Sequence, residues 1–275
     1  MLQTKMKKIF ATDLDGTLLR PGNIISPANR HAIERLKENG YTIIFASGRV
    51  LSSLKYLMRS IDLSGYYIAN NGGVLADDDR VIAKHPISYE ALKKISNLAD
   101  EHGITYHFYD TDTFYANQLM EGRMKHLQGK YNGPAQANFE IRENVLDHII
   151  ENKIEIYKMM LHKDLDYKEG FRESFEKIEG INYAQSAPNS MDIFAEGVNK
   201  WSGVTDMISD TTEETFVVTI GDYDNDIEMI ANADLGIAMG NALDHVKSFA
   251  KYITDDNIDD GFAKAVEYLL EEHKC

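Results

Sequence analysis

Residues 13–17, with the sequence DLDGT, follow the apolar run 9–11 after one threonine and carry two carboxylates, Asp13 and Asp15, with one residue between them. Aspartate is disfavoured in strands, and two like charges held this close repel each other. A hard divalent cation offsets that repulsion because it binds carboxylate and backbone oxygens together. An ordinary strand-to-loop turn, in which Asp and Gly are common, is the alternative, and these five residues alone leave both interpretations open.

Polar residues that could take part in chemistry also follow other apolar segments. Ser47 follows the predicted strand 41–46, and the acidic stretch 222–226 follows the predicted strand 216–220, while Lys200 stands at a predicted helix start. Because ligands of open α/β sheets bind outside the carboxyl ends of the strands, we expect these groups to converge with the two aspartates. Taken singly, Ser47 is also compatible with a helix N-cap, and Lys200 with a solvated charge.

Other site types fail on residue spacing. Asp222, Asp224 and Asp226 match the opening of an EF-hand calcium loop, but the required sixth-position glycine is Ile227 and the required twelfth-position glutamate is Ala233. The sequence also lacks a Walker A loop and a G-x-S-x-G nucleophile elbow. A serine hydrolase is thereby disfavoured without being excluded, because triad partners can lie far apart in sequence.

Length, charge and cysteine content narrow the class of protein. A chain of 275 residues is expected to form two domains. Its formal net charge of −15 argues against nucleic-acid binding, which depends on Lys and Arg neutralising phosphates. The one cysteine, Cys275, excludes a disulfide framework and thiolate metal sites. The same cysteine content indicates a reducing cytoplasm. With neither a targeting segment nor an apolar run of membrane-spanning length, no membrane contact is expected.

The order of predicted elements indicates an α/β fold, with a Rossmann-like core in which an open parallel sheet carries helices on both faces. Strand and helix alternate in the first third of the chain, and the same pattern returns near its end. The predicted strands are 8–12, 41–46, 66–69, 216–220, 235–238 and 251–254, and the predicted helices are 27–39, 50–61, 224–231 and 261–271. The turn 70–73 is expected to lead into a hairpin that reaches residue 81 or 82.

Residues 84–188 have a different pattern of polar and apolar positions and are predicted to form an inserted α+β domain. Mixed polar and apolar positions along its strands favour an antiparallel sheet that is solvated on one face. Its predicted helices are 89–102 and 165–178, and its predicted strands are 104–109, 114–117 and 154–161. The core is then discontinuous and comprises residues 1–83 and 189–275, with 84–188 inserted between its two parts.

Four motifs occur in a fixed order along the predicted core. They are DxDGT at 13–17, ASGR at 46–49, the solitary Lys200 and GDxxND at 221–226. This set resembles the motifs of the haloacid dehalogenase (HAD) superfamily. The NNG turn at 70–72, the MGNA segment at 239–242 and the place of the insert resemble its Cof-type phosphatase branch. Trp201 departs from the pattern, since relatives commonly have a small residue after the lysine.

The resemblance implies a Mg²⁺-dependent phosphatase that acts on small phosphate esters, hexose phosphates and related compounds being favoured. Residues 1–83 and 189–275 would be its catalytic core, and 84–188 a cap that selects the substrate. Asp13 would be the nucleophile that forms an aspartyl-phosphate, and Asp15 the general acid and base. The resemblance places Mg²⁺ on the Asp13 carboxylate, the Asp15 backbone carbonyl and Asp222. The phosphate-binding residues that it implies are Ser47, Gly48, Lys200 and Asn225, with Asp226 supporting the metal or the lysine.

Rival functions share much of this chemistry. A phosphomutase would pass the phosphoryl group from Asp13 to a second hydroxyl instead of water. A dehalogenase attacks carbon and needs neither Mg²⁺ nor a second aspartate, so Asp15 and Asp222 count against it. A metal- or ligand-binding regulatory module without catalysis is the alternative from another class, and the full motif set counts against that. The expected partner is a small-molecule phosphate ester, and the expected assembly is a monomer or weak homodimer.

Overall fold

The computed structural model describes residues 6–117, 138–162, 170–187, 190–209 and 211–272. Two β-sheets organise this part of the chain. The strands are β1 (Lys7–Asp13), β2 (Tyr41–Ala46), β3 (Tyr66–Ala69), β4 (Val74–Ala76), β5 (Val81–Lys84), β6 (Thr105–Tyr109), β7 (Thr113–Ala116), β8 (Asn138–Ile141), β9 (Lys158–His162), β10 (Ile181–Ala187), β11 (Ser190–Ala195), β12 (Thr215–Gly221), β13 (Leu235–Ala238) and β14 (Tyr252–Ile253). The α-helices are α1 (Pro27–Glu38), α2 (Leu51–Ser60), α3 (Tyr89–Glu101), α4 (Val145–Glu151), α5 (Phe171–Phe175), α6 (Lys200–Ile208), α7 (Ile227–Asn232), α8 (Asp244–Lys247) and α9 (Gly261–Glu272).

The larger sheet has eight strands in the order β14-β13-β12-β1-β2-β3-β4-β5. Pairing is parallel from β14 to β3, and β4 and β5 continue the sheet as antiparallel strands. Central β1 has β2 on one side and β12 on the other, so the chain order reverses at this point. Asp13 pairs in register with Ala46, which places it beside the residues that follow β2. Such a switch point is where open α/β sheets form their ligand sites.

Side chains alternate in direction along β1, which explains why both faces of the larger sheet carry helices. Phe10 packs in one apolar cluster with Leu36 of α1, Leu54 of α2 and Phe262 of α9. Ile9 faces the opposite side and packs with Val204 of α6 and Met229 of α7. Successive strand residues point to opposite faces, so a continuous apolar run requires cover on both. The predicted α/β fold with a parallel-sheet core is confirmed.

Most predicted core elements lie within two residues of their observed positions. Ser26 caps α1 by accepting a hydrogen bond from the Asn29 backbone N–H, and Pro27 opens the helix, as the sequence predicts. The predicted helix 224–231 is instead a 3₁₀ turn, Asp224–Asp226, followed by α7. The predicted hairpin after residue 73 corresponds to β4 and β5.

The smaller sheet has six strands in the order β10-β11-β9-β6-β7-β8, and all its pairs are antiparallel except β7 with β8. Helices α3, α4 and α5 cover one face through an apolar cluster that includes Leu92, Ile149 and Phe171. This arrangement has the α+β character expected of the insert. Its function as a cap is a prediction that the fold does not test.

Three sequence predictions about the insert need correction. Strand β11 lies beyond the predicted boundary at residue 188, yet it pairs with β9 and β10 in the smaller sheet. The sheet face opposite the helices was expected to be solvated, but Phe114, Lys158 and Asp192 on it are buried. The strand predicted at 154–161 begins only at Lys158.

The sequence prediction also omitted β8, β10, β11, α4 and α8. Residues 165–169 of the predicted helix 165–178 lie outside the described residues, and α5 is the helical part of the remainder. In the part of the chain that the structure describes, no helix has the length and apolar composition needed to cross a membrane.

Candidate active site

Lys200 lies at the centre of a buried cluster of charges at the carboxyl ends of β1 and β12. Its Nζ donates to Oδ1 of Asp13 at 2.6 Å and to Oδ1 of Asp226 at 2.7 Å. Asn199 caps α6 through the Ser202 backbone N–H, which fixes the first turn of the helix that carries the lysine. Lys200 is therefore not a solvated surface charge. Burial alone would lower its pKa, but the two carboxylates outweigh burial and hold that pKa above its ordinary value.

Asp222 lies beside this cluster and against the loop that follows β1. Thr17 donates its hydroxyl to Oδ1 of Asp222 at 3.0 Å, and Asn241 donates its side-chain amide to Oδ2 at 3.3 Å. Gly16 has φ +95°, and a Cβ there would collide with the Asp222 carboxylate. The loop can approach Asp222 this closely because residue 16 has no side chain.

The carboxylates of Asp13, Asp222 and Asp226 fit a site for a hard cation. Each offers one ligand oxygen, and these three oxygens lie within 4.8 Å of one another. Oδ2 of Asp13 is buried and has no hydrogen-bond partner, so it is available to a cation. Asp226 is already engaged, because its Oδ2 accepts from the backbone N–H groups of Asp222 and Tyr223 and its Oδ1 accepts from Lys200. Oxygen ligands of this kind suit Mg²⁺ or Ca²⁺.

Burial and mutual repulsion shift the ionisation of this cluster. Burial raises the pKa of Asp13 to about 7, although the charge of Lys200 acts in the opposite direction. Burial, followed by the charge of Asp13, raises the pKa of Asp222 to about 8. Without a cation, Asp13 and Asp222 therefore resist full ionisation at neutral pH. A bound divalent cation would favour their charged forms.

Asp15 is directed toward Arg49 rather than into the acidic cluster. Nε and Nη2 of Arg49 donate to the two carboxylate oxygens of Asp15 at 3.0 and 2.7 Å, and Nη2 also donates to Oδ1 of Asn23 at 2.8 Å. The Arg49 side chain is buried, whereas 40% of the Asp15 side chain is exposed. Arg49, the last residue of the ASGR motif, is therefore paired with a carboxylate of the core.

Ser47 and Gly48 form a tightly held turn after β2. The Ser47 N–H donates to the carbonyl of Ile68 at 2.8 Å, and the Ser47 carbonyl accepts from the Asn71 N–H at 3.0 Å. A Cβ at Gly48 would lie 3.1 Å from the amide nitrogen of Asn71, so this turn favours the smallest residue. The N-cap position of α2 belongs to Val50, so Ser47 does not cap that helix.

Asn225 contacts the turn after β3. Its Nδ2 donates to Oδ1 of Asn71 at 3.0 Å, and the Asn71 Nδ2 donates to Oδ2 of Asp192 in β11 at 3.0 Å. Lys158 of β9 donates to the Gly48 carbonyl at 2.6 Å and lies 3.4 Å from the same Asp192 oxygen. Polar groups of the smaller sheet therefore reach the turns at the strand ends of the larger one.

The structure thus brings Asp13, Lys200, Asp222 and Asp226 into one cluster, with Asp15 paired to Arg49 beside it. Ser47, Gly48 and Asn225 lie on the adjoining turns. Sequence reasoning assigned no role to the further polar residues Thr17, Asn71, Lys158, Asp192 and Asn241. Thr17, Asn71 and Asn241 stood inside motifs used for the resemblance, whereas nothing in the sequence distinguished Lys158 and Asp192 from other strand residues.

Comparison with known proteins assigns this arrangement to a family. A family model described as haloacid dehalogenase-like hydrolase matches residues 10–266. The chain therefore belongs to the haloacid dehalogenase-like hydrolases, which confirms the resemblance drawn from the motifs.

Several relatives are similar to this chain over nearly its whole length. The 5-amino-6-(5-phospho-D-ribitylamino)uracil phosphatase YcsE of Bacillus subtilis (strain 168) is 29% identical over 267 residues, covering 96% of each chain. The pyridoxal phosphate phosphatase YbhA of Escherichia coli (strain K12) is 28% identical, covering 94% of this chain and 97% of its own. A solved sugar phosphatase of HAD subclass IIB has a TM-score of 0.77 at 25% identity, covering 96% of this chain and 99% of its own. The predicted enzyme class, a HAD-type phosphatase, is confirmed.

Proposed function

We propose that this chain is a Mg²⁺-dependent phosphatase that hydrolyses small phosphorylated metabolites, sugar phosphates being the favoured class, through an aspartyl-phosphate on Asp13. One observation carries the proposal. Asp13 is buried at the end of the central strand, with one oxygen held by Lys200 and the other without a partner. A carboxylate in this setting can act as a nucleophile that is oriented at one oxygen and available at the other.

The proposed reaction proceeds in two displacements. A carboxylate oxygen of Asp13 forms a bond to the substrate phosphorus as the ester P–O bond breaks, and the leaving alkoxide takes a proton from Asp15. Water then attacks the phosphorus of the aspartyl-phosphate and gives a proton to Asp15. This step releases inorganic phosphate, frees the Asp13 carboxylate and returns Asp15 to its protonated form.

Charge repulsion is the main obstacle to the first displacement. Two unit charges ~4 Å apart repel by roughly 4 kcal/mol at an effective dielectric of about 20. Lys200 lies within hydrogen-bond distance of Asp13 and would offset part of this repulsion through contact with the phosphoryl oxygens. The Ser47 hydroxyl, the Gly48 N–H and Asn225 are proposed to hold the remaining phosphoryl oxygens.

Mg²⁺ would be held by Asp13, Asp222 and the Asp15 backbone carbonyl. When bound, the ion would supply positive charge that offsets the repulsion between the nucleophile and the phosphoryl group. Asp226 is proposed to support the site, because it contacts Lys200 and the backbone of the loop that carries Asp222. Thr17 and Asn241 orient the Asp222 carboxylate by donating to its two oxygens.

Named relatives and the net charge of the chain bear on the partner that it would bind. The relatives compared above are named for phosphate esters of a ribitylaminouracil and of pyridoxal, and for sugar phosphates. Their common chemistry supports a small-molecule phosphate ester as substrate. The net charge of −15 supports a partner other than nucleic acid. We propose a cytoplasmic monomer or weak homodimer, with the smaller sheet as a substrate-selecting cap.

A screen of sugar, nucleotide and cofactor phosphates, with and without Mg²⁺, tests the proposed function. We expect phosphate release that EDTA abolishes and Mg²⁺ restores. Asp13→Asn should abolish turnover and leave the fold intact, because it removes one of several repelling charges. Asp222→Asn should shift the Mg²⁺ titration to higher concentration.

The same assays also have outcomes that would contradict the proposed function. Full activity in EDTA after exhaustive metal removal would exclude the Mg²⁺ mechanism, and an unchanged Mg²⁺ titration would remove Asp222 from the metal ligands. Isomerised sugar phosphate without phosphate release would identify a phosphomutase. An absence of turnover across the whole panel with Mg²⁺ would favour a non-catalytic binding module.

A further inference from the structure

Three polar side chains connect the smaller sheet to the loop after β12 through successive hydrogen bonds. The Asn71 Nδ2 donates to Oδ2 of Asp192 at 3.0 Å, and the Asn225 Nδ2 donates to Oδ1 of Asn71 at 3.0 Å. We refer to Asp192, Asn71 and Asn225 as the amide chain. Asp192 and Asn71 are buried, and Asn225 is half-buried.

Asp192 is suited to fix the polarity of this chain. It lies 3.4 Å from the ammonium of Lys158, which also donates to the Gly48 carbonyl at 2.6 Å. The Lys158 side chain lies over the ring of Tyr109, 4.5 Å from the ring centre. Asp192 is thus a buried carboxylate with a cation beside it, and such an oxygen accepts hydrogen bonds and donates none.

The orientation of both asparagines follows from this carboxylate. Asn71 must turn its NH₂ group toward Asp192, and its carbonyl oxygen then faces Asn225. Asn225 must in turn present its own NH₂ group to Asn71. A primary amide has two N–H bonds, so Asn225 keeps a second N–H on the same nitrogen. If this amide were reversed, its carbonyl oxygen would take the place of that nitrogen and would repel a phosphoryl oxygen there.

We propose that Asn71 is a positioning residue for phosphoryl transfer. It acts through Asn225, whose amide it holds in the one orientation that donates to phosphate. Asp192 completes the arrangement from the smaller sheet, so the phosphate site has its full set of donors only when β11 lies against the turn after β3. This inference rests on the proposed contact between Asn225 and phosphate.

The backbone at residue 71 allows clean substitutions. Asn71 has φ +55°, which is in the left-handed region that Gly, Asn and Asp tolerate. Asn71→Gly therefore removes the amide without strain in the turn, and Asn71→Asp replaces it with a carboxylate of the same shape. The neighbouring Asn70 has φ +50° and donates its amide to the Asp110 carbonyl instead, so Asn70→Gly is a matched control.

A double-mutant cycle separates positioning from a structural role. We expect Asn225→Ala to lower kcat by about 100-fold and Asn71→Gly by about tenfold. The double variant should be no worse than Asn225→Ala within about threefold, because Asn71 has nothing to orient once Asn225 is gone. Asn70→Gly should change kcat by less than about threefold, since its amide does not contact Asn225. Multiplicative losses, or an equal loss in Asn70→Gly, would overturn the assignment of Asn71.

Exchange of the polar groups tests the amide chain through stability as well as through turnover. Asn71→Asp sets a carboxylate against Asp192 and should lower both Tm and kcat. Adding Asp192→Asn returns a donor to that contact, leaves the net charge of the wild type and keeps an acceptor facing Asn225. The double variant should therefore regain most of the lost Tm and kcat.

The outcomes distinguish this inference from the proposed function. A double exchange variant no more stable than Asn71→Asp would overturn the amide chain, whatever its activity. Restored Tm without restored kcat would overturn the positioning role alone. Unchanged activity in Asn225→Ala would overturn both the contact with phosphate and the inference built on it. Wild-type protein inactive on every ester would instead refute the phosphatase proposal, and the Tm comparison would still test the hydrogen bonds.

Discussion

At the scale of single residues, Asp15 and Arg49 show how a proposed proton donor is held before reaction. Two hydrogen bonds from the buried Arg49 side chain occupy both carboxylate oxygens of Asp15. A general acid must carry a proton when the leaving group departs. We therefore expect Asp15 to separate from Arg49 during the reaction. Its 40% exposure leaves room for that change.

The leaving group tests the role of Asp15. An alkyl phosphate releases a strongly basic alkoxide that needs a proton, whereas an activated aryl phosphate needs little protonation. Asp15→Asn should lower kcat/KM for an alkyl phosphate by about 10²–10⁴-fold and for the aryl phosphate by much less. Steady-state rates on the two esters provide the measurement. Equal losses on both would argue against Asp15 as the general acid.

The acidic cluster predicts how pH controls stability. Burial raises the pKa of Asp13 to about 7 and that of Asp222 to about 8, from an ordinary value of 3.8. Between pH 3.8 and the raised pKa values of about 7 and about 8, the folded metal-free protein binds more protons than the unfolded chain. Its stability therefore falls as pH rises through this range. Mg²⁺ binds the deprotonated carboxylates, so the stabilisation it gives should grow over the same window.

Thermal unfolding in EDTA and in Mg²⁺ measures this effect. The difference in Tm between the two conditions should be larger at about pH 8 than at about pH 5.5. Asp222→Asn is the matched variant, and it should reduce both the difference and its dependence on pH. A difference in Tm that is the same at both pH values would show that these carboxylates do not control cation binding.

At the scale of secondary-structure elements, the accuracy of the sequence prediction depended on how continuously apolar, and therefore how buried, each element is. Strand β2 is apolar along its length because parallel strands are covered on both faces, and its predicted bounds match. Strands β10 and β11 carry polar residues between apolar ones, and a short polar stretch does not distinguish a strand from a loop. That is why the predicted boundary at residue 188 divided two paired strands.

The candidate site likewise contains residues that the sequence predicted and contacts that it did not. Asp13 and Lys200 belong to short motifs that the sequence displays directly, and the structure brings them together. Asn71 and Asp192 meet across 121 positions, and neither residue has a neighbour in sequence that points to the other. Contacts of this kind depend on how the two sheets pack, which a single sequence does not specify. The direction of the Asp15 side chain toward Arg49 was hidden for the same reason.

The turn after β3 offers a test at this scale. Gly72 has φ +112°, and a Cβ there would collide with the carbonyl of Asn199, the residue before Lys200. Gly72→Ala should therefore destabilise the fold by about 2 kcal/mol or more and also lower activity, because it displaces the start of α6. Denaturant unfolding and kcat provide the two measurements.

Gly103→Ala is the control for backbone strain alone. Gly103 also has a positive φ, +61°, but a Cβ there would have nothing within 4 Å. Its cost should be about 1 kcal/mol, with unchanged activity. If the two variants behaved alike, contact between the turn and α6 would have no part in placing Lys200.

At the scale of the whole molecule, the smaller sheet lies against the strand ends of the larger one. Hydrogen bonds join Lys158 to the turn after β2, Asn70 to the Asp110 carbonyl, and the Ser52 N–H to the Thr111 carbonyl. The side of the smaller sheet that faces these turns carries buried polar and aromatic side chains, Lys158, Asp192 and Tyr109 among them. A substrate that enters the proposed site would therefore meet groups from both sheets.

The location of the proposed ligands predicts the outcome of a domain exchange. The proposed metal and phosphate ligands all lie outside residues 86–195, so they recognise what every phosphate ester shares. Replacing 86–195, with β11 included, by the equivalent segment of a relative should reorder kcat/KM across a panel of esters. The Mg²⁺ requirement should stay the same. An exchange at the originally predicted residue 188 is the comparison, and it should fold less stably because it separates β10 from its partner β11. A folded chimera that kept the original order of substrates would show that selectivity lies in the larger sheet and its helices.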